Sequence, residues 1–326
     1  MGQCPSEFDL IERYFSLGVP SRWSSQGIGD DCAIISIGHS NVAVTTDTLA
    51  IGTHFLFDVD PFTAGYKALA VNLSDLAAAA ATPRVFFLAL SLNKADEVWV
   101  ERFSSGLKKC ALQYGCALLG GDTTRTTFIG QERAPITMTI TAMGEVQKGL
   151  MRSGAKVGDD IWVSGTLGDA YAALMLRTGV WQGTCSQYLA QRMDLPTPRV
   201  ALGQFLQCCA TACADVSDGF LQDLGHILER SAVGAEVNVD ACAVSDDLKA
   251  FGPERIRQAQ LAGGDDYELV WTAPTQARGA IEAFAKDSAM IVSRVGTITA
   301  EATLKLVDVS GASVCNTYHG FDHFDQ

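Results

Sequence analysis

The chain has 326 residues, 48% hydrophobic and 19% charged, with a formal net charge of −13. That length suits two domains of the usual 100–150 residues or so, and that composition excludes a disordered tail. The acidic balance argues against a nucleic-acid partner, which needs a basic surface.

The opening segment MGQCPSEFDLIERYF has early acids and no basic stretch leading into an apolar run, which speaks against a secretory signal. Cys32–Ile37 and Asn41–Thr46 are rich in β-branched residues and read as strands. Residues 61–81 start at a proline, run through alanines and read as a buried helix. The apolar part of that helix is interrupted by Asn72, Ser74 and Asp75, whereas a membrane span needs roughly 20 mostly apolar residues. A cytoplasmic protein with no membrane partner is the expectation. Val85–Leu92 reads as a strand, Glu97–Tyr114 as a helix, and Cys116–Leu119 as a short strand ending in Gly120-Gly121-Asp122. Pro135–Val146 reads as a long strand. The polar passage Gln147–Asp159 sets a domain boundary, giving units 1–148 and 149–326.

After the boundary, Asp160–Ser164 reads as a strand, SGTLGDA turns into a helix, and Pro196 and Pro198 open the next. Cys213–Val216 is a brief strand leading through SDG into helix Phe220–Ser231. Ala235–Val239, Tyr267–Thr272 and Met290–Ile298 complete the strands. The whole reads as two α/β units. The ten cysteines include no CxxC pair and read as ordinary buried thiols.

Aspartates outnumber glutamates by 25 to 12, and the places where they fall are informative. They stand beside strands and next to glycine or threonine: Gly29-Asp30-Asp31, Thr45-Thr46-Asp47, Gly121-Asp122, Asp215-Val216-Ser217-Asp218 and Gly264-Asp265-Asp266. Loops at strand ends are where a rigid sheet positions binding groups. Carboxylates alone repel phosphates, but with Mg²⁺ they attract them, and glycines let the backbone approach an anion closely. Each motif alone is a common capped turn; together they point to a metal–nucleotide site. Asp75 has two readings, a buried acid at that site or part of a solvent-facing stripe with Asn72. GxxxxGK[ST], a strand-to-helix GxGxxG, the protein-kinase set and HExxH are all absent, so ATP would be held in another way.

In order along the chain, FDLIERYF, GIGDDCA, TTDTL followed by His54-Phe55, YKALAVNLSDLAA, LLGGDTTR, RSGAKVGD, DVSDGFLQDLGHI, GGDDYEL and GFDHF resemble the thiamine-monophosphate kinase family. That family belongs with the aminoimidazole-ribonucleotide-synthetase-like ATP enzymes. The resemblance implies an N-terminal mixed sheet that pairs across a homodimer, and a C-terminal α/β domain. It implies that Asp30, Thr45, Thr46, Asp47, Asp75, Asp122, Asp215 and Asp218 surround several magnesium ions. Gly121, Asp122, Arg152 and Ser217 match positions that contact ATP; His54, Asp265 and Phe321 match positions that contact thiamine monophosphate. Asp47, Asp75, Asp122, Asp215 and Arg152 are the residues expected to support the chemistry.

Two departures stand out: Asp265 occupies a position where the family has glutamate, and Ala79-Ala80-Ala81 falls where the family tends to have glycine. The implied reaction passes the γ-phosphoryl group of ATP to the phosphate of thiamine monophosphate. The rival readings are another ATP-using synthetase on the same scaffold, and a non-catalytic module stabilised by cations.

Overall fold

The computed structural model describes residues 11–15, 23–26, 28–129, 132–133, 135–318 and 320–321. Gly27, the start of FDLIERYF and the end of GFDHF lie outside the described residues.

The first half holds β1 (Ser24–Gln26), β2 (Ala33–Ile37), β3 (Ser40–Ala50), α1 (Pro61–Ala78), β4 (Thr82–Leu92), α2 (Glu97–Tyr114) and β5 (Ala117–Arg125). A two-stranded hairpin, β6 (Phe128–Ile129) and β7 (Glu132–Arg133), precedes β8 (Thr137–Val146). Six of these strands form one mixed sheet in the order β1-β2-β3-β8-β4-β5, in which only β4 and β5 run parallel. Helix α2 makes the crossover that a parallel pair requires.

The second half holds β9 (Asp160–Ser164), α3 (Asp169–Arg177), α4 (Gln187–Asp194), α5 (Val200–Leu206), β10 (Ala212–Val216), α6 (Phe220–Ser231) and β11 (Gly234–Asn238). Then come α7 (Pro253–Ala262), β12 (Glu268–Ala273), α8 (Arg278–Asp287), β13 (Val292–Thr299), β14 (Leu304–Val307) and β15 (Ser313–Val314). Its seven-stranded sheet has the order β10-β12-β9-β13-β11-β14-β15.

Helix α1 joins the halves. Asp60 caps its start by accepting the Phe62 N–H at 2.9 Å, and Pro61 supplies the fixed φ of the first turn. Fourteen of its 18 residues are buried, so it has no solvent-facing stripe, and Asn72 is fully buried. One side packs on β3 and β8, and the other on β10 and α5. Leu69, Leu73 and Leu76 belong to the first core, whereas Ala77, Ala78 and Ala80 pack with Trp162, Leu202 and Trp271 in the second.

The helix ends as helices ending in glycine usually do, but with alanine. The Ala80 N–H donates to Ala77 O at 2.9 Å and the Ala81 N–H to Leu76 O at 2.8 Å, with Ala80 left-handed at φ 59°. The missing glycine leaves the turn geometry intact.

Strand β5 corrects one expectation. It does not stop at the glycines but runs on through Gly120, Gly121 and Asp122 to Arg125. A Cβ on Gly121 would lie 1.8 Å from Leu88 O, so only glycine lets β5 pair with β4 there. No disulfide forms among the described cysteines, and no described helix is long and apolar enough to cross a membrane.

Candidate active site

The cleft between the two halves has a volume of about 1620 Å³. Helix α1 presents Asp75 to it, β3 presents Thr45 and Asp47, the end of β10 presents Asp215, and the β1–β2 connection brings Asp30 and Asp31. Alternation along β3 puts Thr45 and Asp47 on the face toward α1. The Thr46 hydroxyl lies on the other face, 2.9 Å from that of Thr141.

Carboxylate oxygens of Asp31, Asp75 and Asp215 all lie within 4.8 Å of one another. Each has one local partner. Arg152 donates to Asp31 at 2.7 and 3.2 Å, Thr45 to Asp75 at 2.5 Å, and Ser74 to Asp215 at 2.7 Å. Asp30 accepts the Arg152 backbone N–H at 2.8 Å, so the two adjacent acids grip one arginine from both ends. One bonded guanidinium does not neutralise three carboxylates.

The proton affinities record that deficit. Burial pushes Asp75 well above the ordinary carboxylate range, and the charges of Asp47 and Asp215 add to it. Asp215 is pushed up to about 8, by burial first and by Asp31 next. Burial also raises Asp30, against the hydrogen bond from Arg152. Oxygen donors this close fit one divalent cation with bonds of roughly 2.1–2.4 Å, which would supply the missing positive charge.

The SDG turn after β10 is held from below. Asp223 of α6, fully buried, accepts the backbone N–H groups of Ser217, Asp218 and Gly219 at 3.1, 3.1 and 3.2 Å. Two more segments tie to the same turn. The Asp265 N–H donates to Ser217 O at 2.7 Å, and the Phe321 N–H to Asp218 O at 2.9 Å. Ser217, Asp218, Asp265 and Phe321 therefore share one wall of the cleft. His54 lines the cleft from the turn after β3, where its Nδ1 accepts the Ala50 N–H at 3.1 Å. In the neutral ring this leaves the proton on Nε2.

Above the acidic end, Arg230 of α6 approaches the Gly29 backbone so closely that a Cβ there would lie 1.5 Å from its guanidinium. Gly29, at φ 101°, meets both demands. Arg152 and Arg230 thus stand beside the carboxylates with His226, whose pKa is pushed down to about 4 by burial and by the two arginines.

Of the residues expected from the sequence, Asp30, Thr45, Thr46, Asp47, His54, Asp75, Arg152, Asp215, Ser217, Asp218, Asp265 and Phe321 line this one cleft. Gly121 and Asp122 do not. Asp122 pairs with Ala89 of β4, which pairs with Thr139 of β8, which pairs with Thr48 of β3. Three strand spacings, about 14 Å, separate it from the Thr48 edge. Sequence reasoning missed Asp31 as a member of the carboxylate cluster, and Asp223. The signal for Asp31 was present in GDD, where either acid can turn inward. For Asp223 the only sign was an acid in the first turns of α6.

Residues 29–146 match the family described as AIR synthase related protein, N-terminal domain, and residues 156–309 match its C-terminal domain. Thiamine-monophosphate kinase of Salmonella typhimurium is 43% identical to the chain, covering 98% of each. The chain belongs to the thiamine-monophosphate kinase family. The crystal structure of the Stenotrophomonas maltophilia family member is 40% identical, covers 96% of this chain and 99% of its own, and superposes with a TM-score of 0.78. The structure of AaThiL complexed with AMPPCP and TMP is 30% identical, covers 98% and 97%, and has a TM-score of 0.83. The family assignment fits both departures noted in the sequence. Ala80 adopts the left-handed turn that glycine would adopt freely, and Asp265 still reaches the cleft wall.

Proposed function

We propose that this chain transfers the γ-phosphoryl group of ATP to the phosphate of thiamine monophosphate, giving thiamine diphosphate and ADP. The observation that carries this reading is the under-neutralised cluster of Asp31, Asp75 and Asp215 beside Arg152, in a cleft shared with His54, Asp265 and Phe321. Membership of the family and the AaThiL complex with AMPPCP and TMP support it.

Asp30, Thr45, Thr46, Asp47, Asp75, Asp122, Asp215 and Asp218 are the proposed magnesium ligands, Thr46 through its backbone because its hydroxyl faces Thr141, and the geometry adds Asp31. Bound magnesium supplies charge neutralisation on the phosphate oxygens. The acceptor is a phosphate whose second pKa is about 6, so it is largely ionised at neutral pH and needs no general base. This chain's own task is alignment. Arg152 and Arg230 hold phosphate oxygens, Ser217 offers its hydroxyl from the turn that leads into α6, and Gly121 and Asp122 complete the nucleotide site. His54, Asp265 and Phe321 hold thiamine monophosphate; the Phe321 ring, 48% exposed at the mouth, gives the thiazolium an aromatic face.

The exposed edge of β5 supports a homodimer. The strand is exposed along its whole length, with Leu118 50% and Leu119 62% exposed, a surface that calls for a partner. Pairing of two such edges buries it and lets Asp122 of each subunit serve the cleft of the other. In this reading residues 1–148 carry the metal-binding and dimer surfaces, residues 149–326 complete the nucleotide and substrate site, and the enzyme works in the cytoplasm.

The test is ADP release with ATP and Mg²⁺, with and without thiamine monophosphate, together with identification of thiamine diphosphate. Acceptor-dependent release is expected. Its absence from well-folded protein would remove the reading and leave a cation-stabilised binding module or another synthetase.

A further inference from the structure

Lys67 lies on α1 and is 2% exposed, yet it is not part of the hydrophobic packing. Lysine is almost never fully buried unless paired. Its ammonium is ion-paired with the carboxylate of Asp265, which belongs to the other half of the molecule. The same ammonium stands 5.7 Å from the centre of the Phe55 ring and 5.9 Å from that of Tyr267. Asp265, Phe55 and Tyr267 all line the cleft, whereas Lys67 sits behind them. One buried cation thus backs three neighbouring residues of the wall, on two segments of the chain.

The backbone makes this arrangement necessary. Asp265 is left-handed at φ 72° and Tyr267 at φ 52°, and their N–H groups donate to Ser217 O at 2.7 Å and Val216 O at 2.8 Å. Those bonds fix where the Asp265 Cα lies but not where its carboxylate points. The Asp265 side chain is 34% exposed, and without Lys67 its carboxylate keeps the Tyr267 hydroxyl as a hydrogen-bond partner but loses the cation that neutralises and aims it. With Lys67 in place, the wall presents a carboxylate that is held and already neutralised.

We propose that Lys67 is a positioning residue for the acceptor substrate, holding Asp265, Phe55 and Tyr267 as the wall against which the rings of thiamine monophosphate lie. This rests on the reaction proposed above. It also defines the part that Asp265 plays. The carboxylate orients the substrate as a hydrogen-bond acceptor within a neutral pair, and the thiazolium charge is met by aromatic faces rather than by a bare anion.

The experiment compares wild type, Lys67→Met, Lys67→Arg and the double variant Lys67→Met/Asp265→Asn. The readouts are KM for each substrate, calorimetric binding of thiamine monophosphate, and melting temperature. Lys67→Met is expected to weaken thiamine monophosphate binding about tenfold or more while shifting KM for ATP less than about threefold. Lys67→Arg should recover part of the loss, because it keeps the charge. The double variant removes the stranded buried charge, so it should regain melting temperature without regaining affinity for thiamine monophosphate. A double variant that regains both, or a Lys67→Met variant that weakens both substrates equally, overturns the proposal and leaves a structural ion pair. Wild-type protein that binds thiamine monophosphate without turnover sinks the kinase reading alone, and the binding arm still decides Lys67. Failure to bind overturns both.

Discussion

Replacing Asp75 with asparagine should stabilise the metal-free protein and destabilise the magnesium-loaded one relative to wild type. At an effective dielectric of about 20, two unit charges 4.8 Å apart repel by about 3.5 kcal/mol, and Asp75 faces both Asp31 and Asp215 at that range. Arg152 offsets only part, because it is bonded to Asp31. The apoprotein meets this cost either as repulsion or as a proton held by Asp75 well above its ordinary range. The amide removes it in both cases, keeps the shape of the side chain, and still accepts the Thr45 hydroxyl. A gain of about 2–4 kcal/mol is expected at pH 8 in a chelator. With saturating Mg²⁺ the order reverses, since only wild type gains the full binding free energy. Urea unfolding followed by tryptophan fluorescence, with chelator and with Mg²⁺, reads both orders. A variant less stable than wild type in chelator would show that the cluster is not under electrostatic strain, and the argument for a cation there would fail.

Three further outcomes are expected. Magnesium binding should release a proton below pH 8, because Asp215 titrates near 8 and ligates as the anion. With its pKa raised from 3.8, Asp215 stabilises the apoprotein fully below about pH 4 and loses that contribution as pH rises through 8. Calorimetry at pH 7 in two buffers of different ionisation enthalpy detects the proton, and identical heats would count against it. Ala80→Gly should destabilise less than Ala77→Gly, by about 1 kcal/mol, because both lose a buried methyl in the same core, but at Ala80 glycine relieves the left-handed backbone while at Ala77 it loosens a helix; equal melting shifts would contradict this. Finally, an equimolar mixture of Asp122→Asn and Asp75→Asn subunits, exchanged to random dimers, should recover about one quarter of wild-type activity if the two residues meet across the subunit boundary, since half of the dimers are mixed and each has one intact cleft. No recovery would place Asp122 in its own subunit's cleft.

Much of this could be read from the residues. The boundaries of α2 at Glu97–Tyr114, β9 at Asp160–Ser164 and α6 at Phe220–Ser231 follow from strong periodicity bounded by Asp96, Gly165 and Gly219. Helices α4, α7 and α8 are short, at eight, ten and ten residues, and their burial depends on partners distant in sequence. At β5 the glycine pair imitates a turn, and only the closeness of the Leu88 carbonyl shows that it belongs to a strand. Asp75 had two local readings, and burial of α1 on every side decided between them. Lys67 gave no local signal, because its partner is 198 positions away.

Helix α1 also governs how the protein comes into being. It is made early, yet Ala77, Ala78 and Ala80 belong to a core completed by Leu202, Leu206, Leu269 and Trp271. On the ribosome, its second face stays bare until nearly the whole chain has emerged. The first half therefore waits in a sticky, half-covered state during synthesis, a point at which chaperones have most to protect. By the same geometry a cut in the passage 147–159 would not release two folding units, and melting should be a single cooperative transition of both sheets.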